Sequence, residues 1–561
     1  MSESPATPSP APALRWHLTP EQEQAVQAEL GRADEERVPA RLHERDDTLW
    51  GPAGQAEVAD RLGWLDAPAT GLEQQASLED LAAQVAEDGY TDVVLVGMGG
   101  SSLAPEVVWH WSGPQNGRLR LRMLDSTDPD AIATVDAATE PERTLVLVST
   151  KSGGTLETVS LFRHFWSRNP DGRAFVAVTD PGSGLEAMAK AHDFRAILHG
   201  DPEIGGRYSA LSPFGTVPAA LTGADLGALL HGGAQAVDAS RGPVGENVAV
   251  RLGAAVGALA KSGRDKLALR VQDERLGAFG LWLEQLIAES TGKGGHGVLP
   301  VVDDPATEDG GLPTVSDDRQ LLVLRGTGED AALDAAIAES TAAGVPVFEL
   351  VVEGAEALGA AFAILEVATA VVGWSLGINP FDQPDVQAAK DATKAVLAEV
   401  ADGTPIPPAD EVTPAAVLEF VDGLATPEYL AILAYLPPSA DAGAEVGRLR
   451  SALAGRTDAA ITTGFGPRYL HSTGQLHKGG PAVGRYLILE HDPRAERSIP
   501  APASDDEPVN PTTSFRTLFH AQSQGDLRTL GAHDRPVLRV SLGSDWLESL
   551  AALTTAVKED S

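Results

Sequence analysis

From about Thr91 onward the chain keeps a rhythm of short apolar, β-branched runs separated by stretches rich in Ala, Leu and Glu. The runs fall at 92–97, 119–125, 144–150 and 174–179. Strands that alternate with helices pair through crossovers, which makes a parallel sheet covered on both faces. A second set at 267–271, 320–325 and 346–352 predicts a second unit of the same design, with helices over 210–263 joining the two. Late runs at 459–463, 485–490 and 536–542 either extend that second sheet or form a C-terminal subdomain. Residues 1–70 read as a polar helical extension broken by Pro and Gly, and the stretch 499–511, rich in Pro, Ser, Asp and Glu, as a loop. A length of 561 residues exceeds what one core supports, so two or three domains are expected. No short-period repeat is visible.

Composition narrows the function classes. The chain has no cysteine, which removes disulfides, thiolate nucleophiles and cysteine-ligated metals. A net charge of −38 argues against nucleic-acid partners, whose phosphates call for Lys and Arg. An anionic ligand would therefore need a local positive island of backbone N–H groups and a few cations. No uninterrupted apolar run reaches the ~18 residues of a membrane helix. The Pro-rich start, MSESPATPSPAPAL, reads as a short tail and not as a secretory signal. A cytoplasmic location without membrane partners is the expectation.

Two loops carry phosphate-type chemistry. Gly97-Met98-Gly99-Gly100-Ser101-Ser102 follows the first strand and opens a helix, although such turns also serve the fold alone. Ser149-Thr150-Lys151-Ser152-Gly153-Gly154-Thr155 follows the third strand and joins hydroxyls, one cation and two glycines, the donors a phosphate monoester needs. It is not a Walker A loop. Both lie at the C-terminal ends of parallel strands, where ligands of open α/β sheets bind.

Acid–base candidates are less sharp. Over 274–290, Leu276, Phe279, Leu283, Leu286 and Ile287 mark one helical face. Gln285 and Glu289 stand four apart on that helix, and Glu289 ends it before a turn that looks mobile. A carboxylate there is either partly desolvated, which would raise its pKa, or simply solvated. Arg207, after Gly205-Gly206, can reach an anion or make a structural ion pair. Asn379-Pro380-Phe381-Asp382-Gln383-Pro384 leads into a helix holding Lys390. The stretch 471–480 reads as a loop bearing His471, His477 and a lysine. No zinc spacing, GxSxG elbow or GxGxxG fingerprint occurs.

Taken together, GMGGSSLAPEV (97–107), STKSGGTLET (149–158), GGRYSALSPFG (205–215), LEQLIAESTGK (283–293) and NPFDQPDVQAAK (379–390) resemble the phosphoglucose isomerase family. HSTGQLHKGGP (471–481) is similar to the isomerase half of fused transaldolase–phosphoglucose isomerases. The residues before the first strand are too few for a transaldolase barrel of about 250. The resemblance implies an α/β fold of two SIS-type (sugar isomerase) domains with parallel, doubly wound sheets covered by helices. Its divisions are 1–70 (extension), 71–240 (phosphate loops), 241–455 (base and lysine) and 456–561 (C-terminal segment). It implies aldose–ketose isomerisation of glucose 6-phosphate and fructose 6-phosphate through ring opening and a cis-enediol.

By that resemblance Glu289 is the base that moves a proton between C2 and C1. Arg207 stabilises the enediolate, and Lys390 sits in the ring-opening region. Gly100 and Ser101, Thr150, Lys151, Ser152 and Thr155, and Gln285 contact substrate. The family's GTNGQH string, whose histidine assists ring opening, does not follow Glu289 here. His477 takes that role first, then His471, then His296, with His471 otherwise contacting substrate. In relatives this histidine comes from a neighbouring subunit, so a homo-oligomer, a dimer foremost, is expected. No metal or organic cofactor is implied. The alternatives are a dual glucose/mannose phosphate isomerase and a non-catalytic sugar-phosphate sensor, which would need the loops but not Glu289, Arg207 and Lys390.

Overall fold

The computed structural model describes residues 12–302, 315–502 and 514–560. The first eleven residues of the expected N-terminal tail, and 503–511 of the expected late loop, lie outside them. After an opening strand, β1 (Leu14–His17), come β2 (Asp92–Val96), β3 (Arg120–Leu124), β4 (Thr144–Ser149), β5 (Phe175–Thr179) and β6 (Ala196–His199). The last five form one parallel sheet in the order β3-β2-β4-β5-β6. Every residue of β2, β4 and β5 is buried, so these strands read as unbroken apolar runs and not as alternating ones.

The second sheet holds β7 (Lys266–Val271), β8 (Leu299–Val302), β9 (Arg319–Arg325) and β10 (Val347–Val351), in the order β1-β10-β9-β7-β8. Strand β1 closes its edge antiparallel to β10, so the N-terminal extension contributes a strand as well as helices. Behind this sheet the helix Gly354–Leu376 packs between Leu226–Ala239 and Val248–Lys261. Among the described residues it is the one helix long and apolar enough to cross a membrane, and its apolar stretch is wholly buried. A count of uninterrupted apolar residues misses it because Glu366 interrupts the run.

The late strands build a sheet of their own. β11 (Asp410–Glu411), β12 (Tyr429–Tyr435), β13 (Ala460–Phe465), β14 (Gly484–His491) and β15 (Val537–Gly543) are all parallel, in the order β11-β15-β14-β12-β13. Because β12 pairs with β13 and β14, a division between 455 and 456 would run through this sheet. All three sheets share one topology. The first strand of each set sits between the second and the third, the fourth lies outside the third, and a further strand closes that side.

Sheets two and three meet edge to edge. Leu299 and Val301 of β8 share an apolar cluster with Tyr429, Ala431 and Ala460. The Arg450 guanidinium bridges the seam, donating to the carbonyls of Val302 (2.8 Å) and Ile461 (2.9 Å). This docking brings the far end of the chain against the loops of the first sheet.

Candidate active site

The two glycine-rich loops emerge side by side from β2 and β4, neighbours in the first sheet at the point where its connections change direction. Gly99 has φ +57°, a left-handed backbone that glycine adopts without cost. A Cβ on Gly100 would lie 1.9 Å from the carbonyl oxygen of Gly206. Only glycine lets this loop touch the turn Gly206–Tyr208, and that contact delivers Arg207 to the site. Ser101 is buried in the same loop.

Arg207 is enclosed, and its donors are all used. Nε donates to Ser290 Oγ (2.8 Å), and Nη2 to the carbonyls of Pro380 (2.7 Å) and Asp382 (3.1 Å). Nη1 bonds the Gln383 side chain and stands 3.5 Å from Glu289 Oε2. The rigid turn before Lys390 is therefore the arginine's socket. Of the two readings open for Arg207, the ion pair is formed, and its partner is Glu289.

Glu289 closes the helix Phe279–Thr291, which begins after a break at Gly277. It is 7% exposed, with Gln285 Nε2 3.4 Å from Oε2. Burial raises its carboxyl above the usual range, while Arg207, His471, Lys293 and Lys390 pull it back down. The turn after it is held firmly. Lys293 and His296 form a bridge, Gly295 N–H donates to the Gly479 carbonyl, and the buried Lys293 ammonium pairs with Asp382 (2.6 Å). Burial lowers Lys293 to about 8.

A cleft of about 110 Å³ is lined by Ser152, Thr155, Glu157, Lys390, His471 and Gln522 among others; Glu289 is not in its lining and is tied to it through Gln285, which reaches both Glu289 and the His471 carbonyl. Thr150 and Thr155 hydroxyls bond each other at 2.8 Å, and Thr155 caps the helix Leu156–Arg168, whose first amides face the loop. Lys390 is exposed at the cleft's lip. Lys151 is turned away: its ammonium pairs with Asp180 and donates to the carbonyls of Asp201 (3.3 Å) and Pro202 (3.2 Å).

The two histidines part company. His471, in the 3-10 turn Arg468–His471, points Nε2 at Glu157 Oε1 (2.9 Å), and its carbonyl accepts from Gln285 Nε2 (2.8 Å). His477 lies in the short helix Gly474–Gly479, 1% exposed, with Nδ1 3.1 Å from Tyr429 Oη. Burial, with Lys478 and Arg535 beside it, lowers its pKa to about 3. A neutral imidazole walled in by tyrosines does not meet a ligand in the cleft, so the structure does not bring His477 to the other candidates. His296 is exposed outside the cleft.

Sequence reasoning missed Glu157, Gln522, Gln383 and Lys293 as site members. Glu157 accepts from both His471 and Gln522 Nε2 (2.7 Å). Burial alone would raise its carboxyl; His471 and Lys390 outweigh that and hold it below the ordinary range. Glu157 and Lys293 do stand inside strings that drew attention, whereas Gln522 has no local signal at all. Elsewhere, Asp128, Asp130 and His491 cluster as metal ligands could, but Asp128 caps the helix Pro129–Ala137 and bonds His491, and Asp130 accepts from the Arg494 and Ala495 amides.

The phosphoglucose isomerase model matches residues 82–300. A glucose-6-phosphate isomerase of Rubrobacter xylanophilus is 35% identical over 389 residues, 60% of this chain and 89% of that one. The chain belongs to the phosphoglucose isomerase family. A Thermus thermophilus glucose-6-phosphate isomerase is 34% identical over 43% of this chain and 58% of its own length. Among solved structures, a hypothetical protein of Thermus thermophilus superposes with TM-score 0.57 at 28% identity, over 69% of this chain and all of its own. A Chlamydia trachomatis glucose-6-phosphate isomerase shares the fold, with TM-score 0.58 at 21% identity over 67% of this chain and 86% of its own. Family members thus account for the α/β architecture, while this chain carries more than they cover.

Proposed function

We propose that this chain interconverts glucose 6-phosphate and fructose 6-phosphate, with Glu289 as the proton carrier. The observation that carries this is a buried carboxylate, raised in pKa, 3.5 Å from an enclosed guanidinium, on a helix packed against the glycine turn Gly99–Ser101. A carbon acid needs a base that is strong for a carboxylate and poorly solvated, and Glu289 is both. Its oxygen takes the proton from C2, leaving a cis-enediolate, and returns it to C1. Arg207 faces the developing oxyanion with a charge fixed by five acceptors, so little reorganisation accompanies the step.

The phosphate is gripped by Ser152, Thr155 and the amides of Leu156–Arg168, with Lys390 supplying the cation. Lys151 keeps the loop's shape through Asp180. Ring opening needs a group that exchanges a proton with the ring oxygen, and His471, oriented by Glu157, takes the part that sequence similarity assigned first to His477.

Glu289→Gln tests the reading, because it removes the proton acceptor and little volume. Turnover of both sugars should fall by about three orders of magnitude or more while fructose 6-phosphate still binds. Turnover near that of the parent would refute the role. A coupled assay with glucose, fructose and mannose 6-phosphates separates an isomerase from a dual-specificity enzyme and from a sensor.

A further inference from the structure

A second cavity, of about 600 Å³, lies where the three sheets meet. One wall is the end of β3, with Asp125 and Ser126. Another is the helix Phe279–Thr291, with Leu281 and Glu284. The third is the helix Ala440–Ala454 with the end of β13. Gly443, Val446, Gly447 and Arg450 face it from that helix, spaced as one helical face. Two of the four have no side chain, which leaves the room.

The charges around this space are unevenly matched. Arg468 is spent on Asp125 (2.7 Å) and Glu106 (3.0 Å), and Arg122 reaches Asp92 (3.1 Å). Arg450 has only carbonyl partners, and among the described residues no carboxylate lies within ion-pairing distance of it. Glu284 is 5% exposed and lines the cavity, with the Thr462 side chain nearby. Burial pushes its carboxyl up to about 8 against the pull of Arg450 and Arg468, so at neutral pH it holds a proton to donate. An unpaired guanidinium, a carboxylic acid and the amino end of a helix at Ser439 suit an oxyanion, whereas a cation would meet three arginines.

We infer that this cavity binds a small organic oxyanion, a phosphate monoester or a carboxylate, between Arg450, Glu284 and the amino end of Ala440–Ala454, and that its occupancy modulates the active site. Two elements run from the cavity to the cleft. The helix Phe279–Thr291 carries both Glu284 and Glu289, and the turn Arg468–His471 carries both Arg468 and His471. A ligand here touches the supports of both the base and the histidine. The modulation rests on the functional reading of those two residues; the binding does not.

Calorimetric titration of the intact protein with methyl phosphate, and separately with malonate, tests it, and Gly443→Leu tells binding in this cavity from binding in the cleft. One site per chain is expected for at least one of the two, and the tighter binder identifies the headgroup. Gly443→Leu, whose added carbons enter open space, should weaken binding about tenfold or more while leaving basal turnover intact. Parent affinity should fall between pH 7 and 9 as Glu284 ionises, and Glu284→Gln should flatten that dependence. No binding of either anion at about 10 mM, or binding that Gly443→Leu leaves unchanged, overturns the site. A bound anion that leaves kcat unaltered overturns the modulation.

Discussion

Glu157 and His471 act as one unit, and their separation in sequence hides it. Glu157 is ionised and buried with two donors, His471 and Gln522, so it fixes the imidazole's orientation and leaves Nδ1 for the cleft. Glu157→Gln keeps the volume but loses the charge. We expect kcat to drop about tenfold to a hundredfold, with the KM for fructose 6-phosphate little changed, checked by steady-state kinetics. The pH profile belongs at this scale too. Glu289 must be ionised to accept a proton, and its pKa in the free enzyme is raised by burial. The acid limb of kcat/KM should therefore lie above the ordinary carboxylate range. A limb near pH 4 would mean the base is solvated. Stability runs the other way. Glu284 ionises near 4.5 in the unfolded chain and at about 8 in the fold, so the unfolded state binds fewer protons between those values. Stability contributed by the protonated form is present below pH 4.5 and lost as pH rises towards 8. Glu284→Gln should accordingly raise the melting temperature more at pH 8 than at pH 5.

At the scale of elements, the glycines do the positioning. Gly100 and Gly206 meet backbone to backbone, so the loop after β2 and the turn bearing Arg207 hold each other. Gly100→Ala would force them apart. It should cost about 1–3 kcal/mol in chemical denaturation and lower kcat as well, because Arg207 moves with the turn. Unchanged stability would mean that the turn yields freely. Such loops were legible because glycine, hydroxyl and strand signals are local. The short strands were harder. β1 and β11 have four and two residues and take their form from an edge they happen to meet. β12 is a seven-residue apolar run that sequence alone does not tell from a buried helix. The 471–480 stretch reads as a polar loop, yet most of its polar side chains are buried, Lys478 pairing with Asp526 at 2.7 Å. Polarity there signals an internal network and not a surface.

Across the whole molecule, three sheets of one topology pack around the cleft, and no sequence repeat announces the third. Strand order is fixed by where crossovers pass, which many sequences satisfy, so the repetition survives without similarity of residues. The third unit's part in the site rests on a few polar ties. Gln475 is the strongest of them. It is fully buried, accepts from the Asp385 amide (2.9 Å), and donates to the Gly292 carbonyl (2.9 Å) and Asp385 Oδ2 (2.6 Å). One side chain thus joins the His471 segment to the end of the base helix and to the start of the helix that carries Lys390. Gln475→Leu fills the same space and leaves those groups without partners, at a cost of about 1–3 kcal/mol. If the third unit serves the chemistry by placing His471, kcat should fall in this variant while affinity for fructose 6-phosphate holds. The double variant with Glu157→Gln should then be little worse than Glu157→Gln alone, since both act through one imidazole. Losses that multiply instead would show that Gln475 supports the cleft by another route.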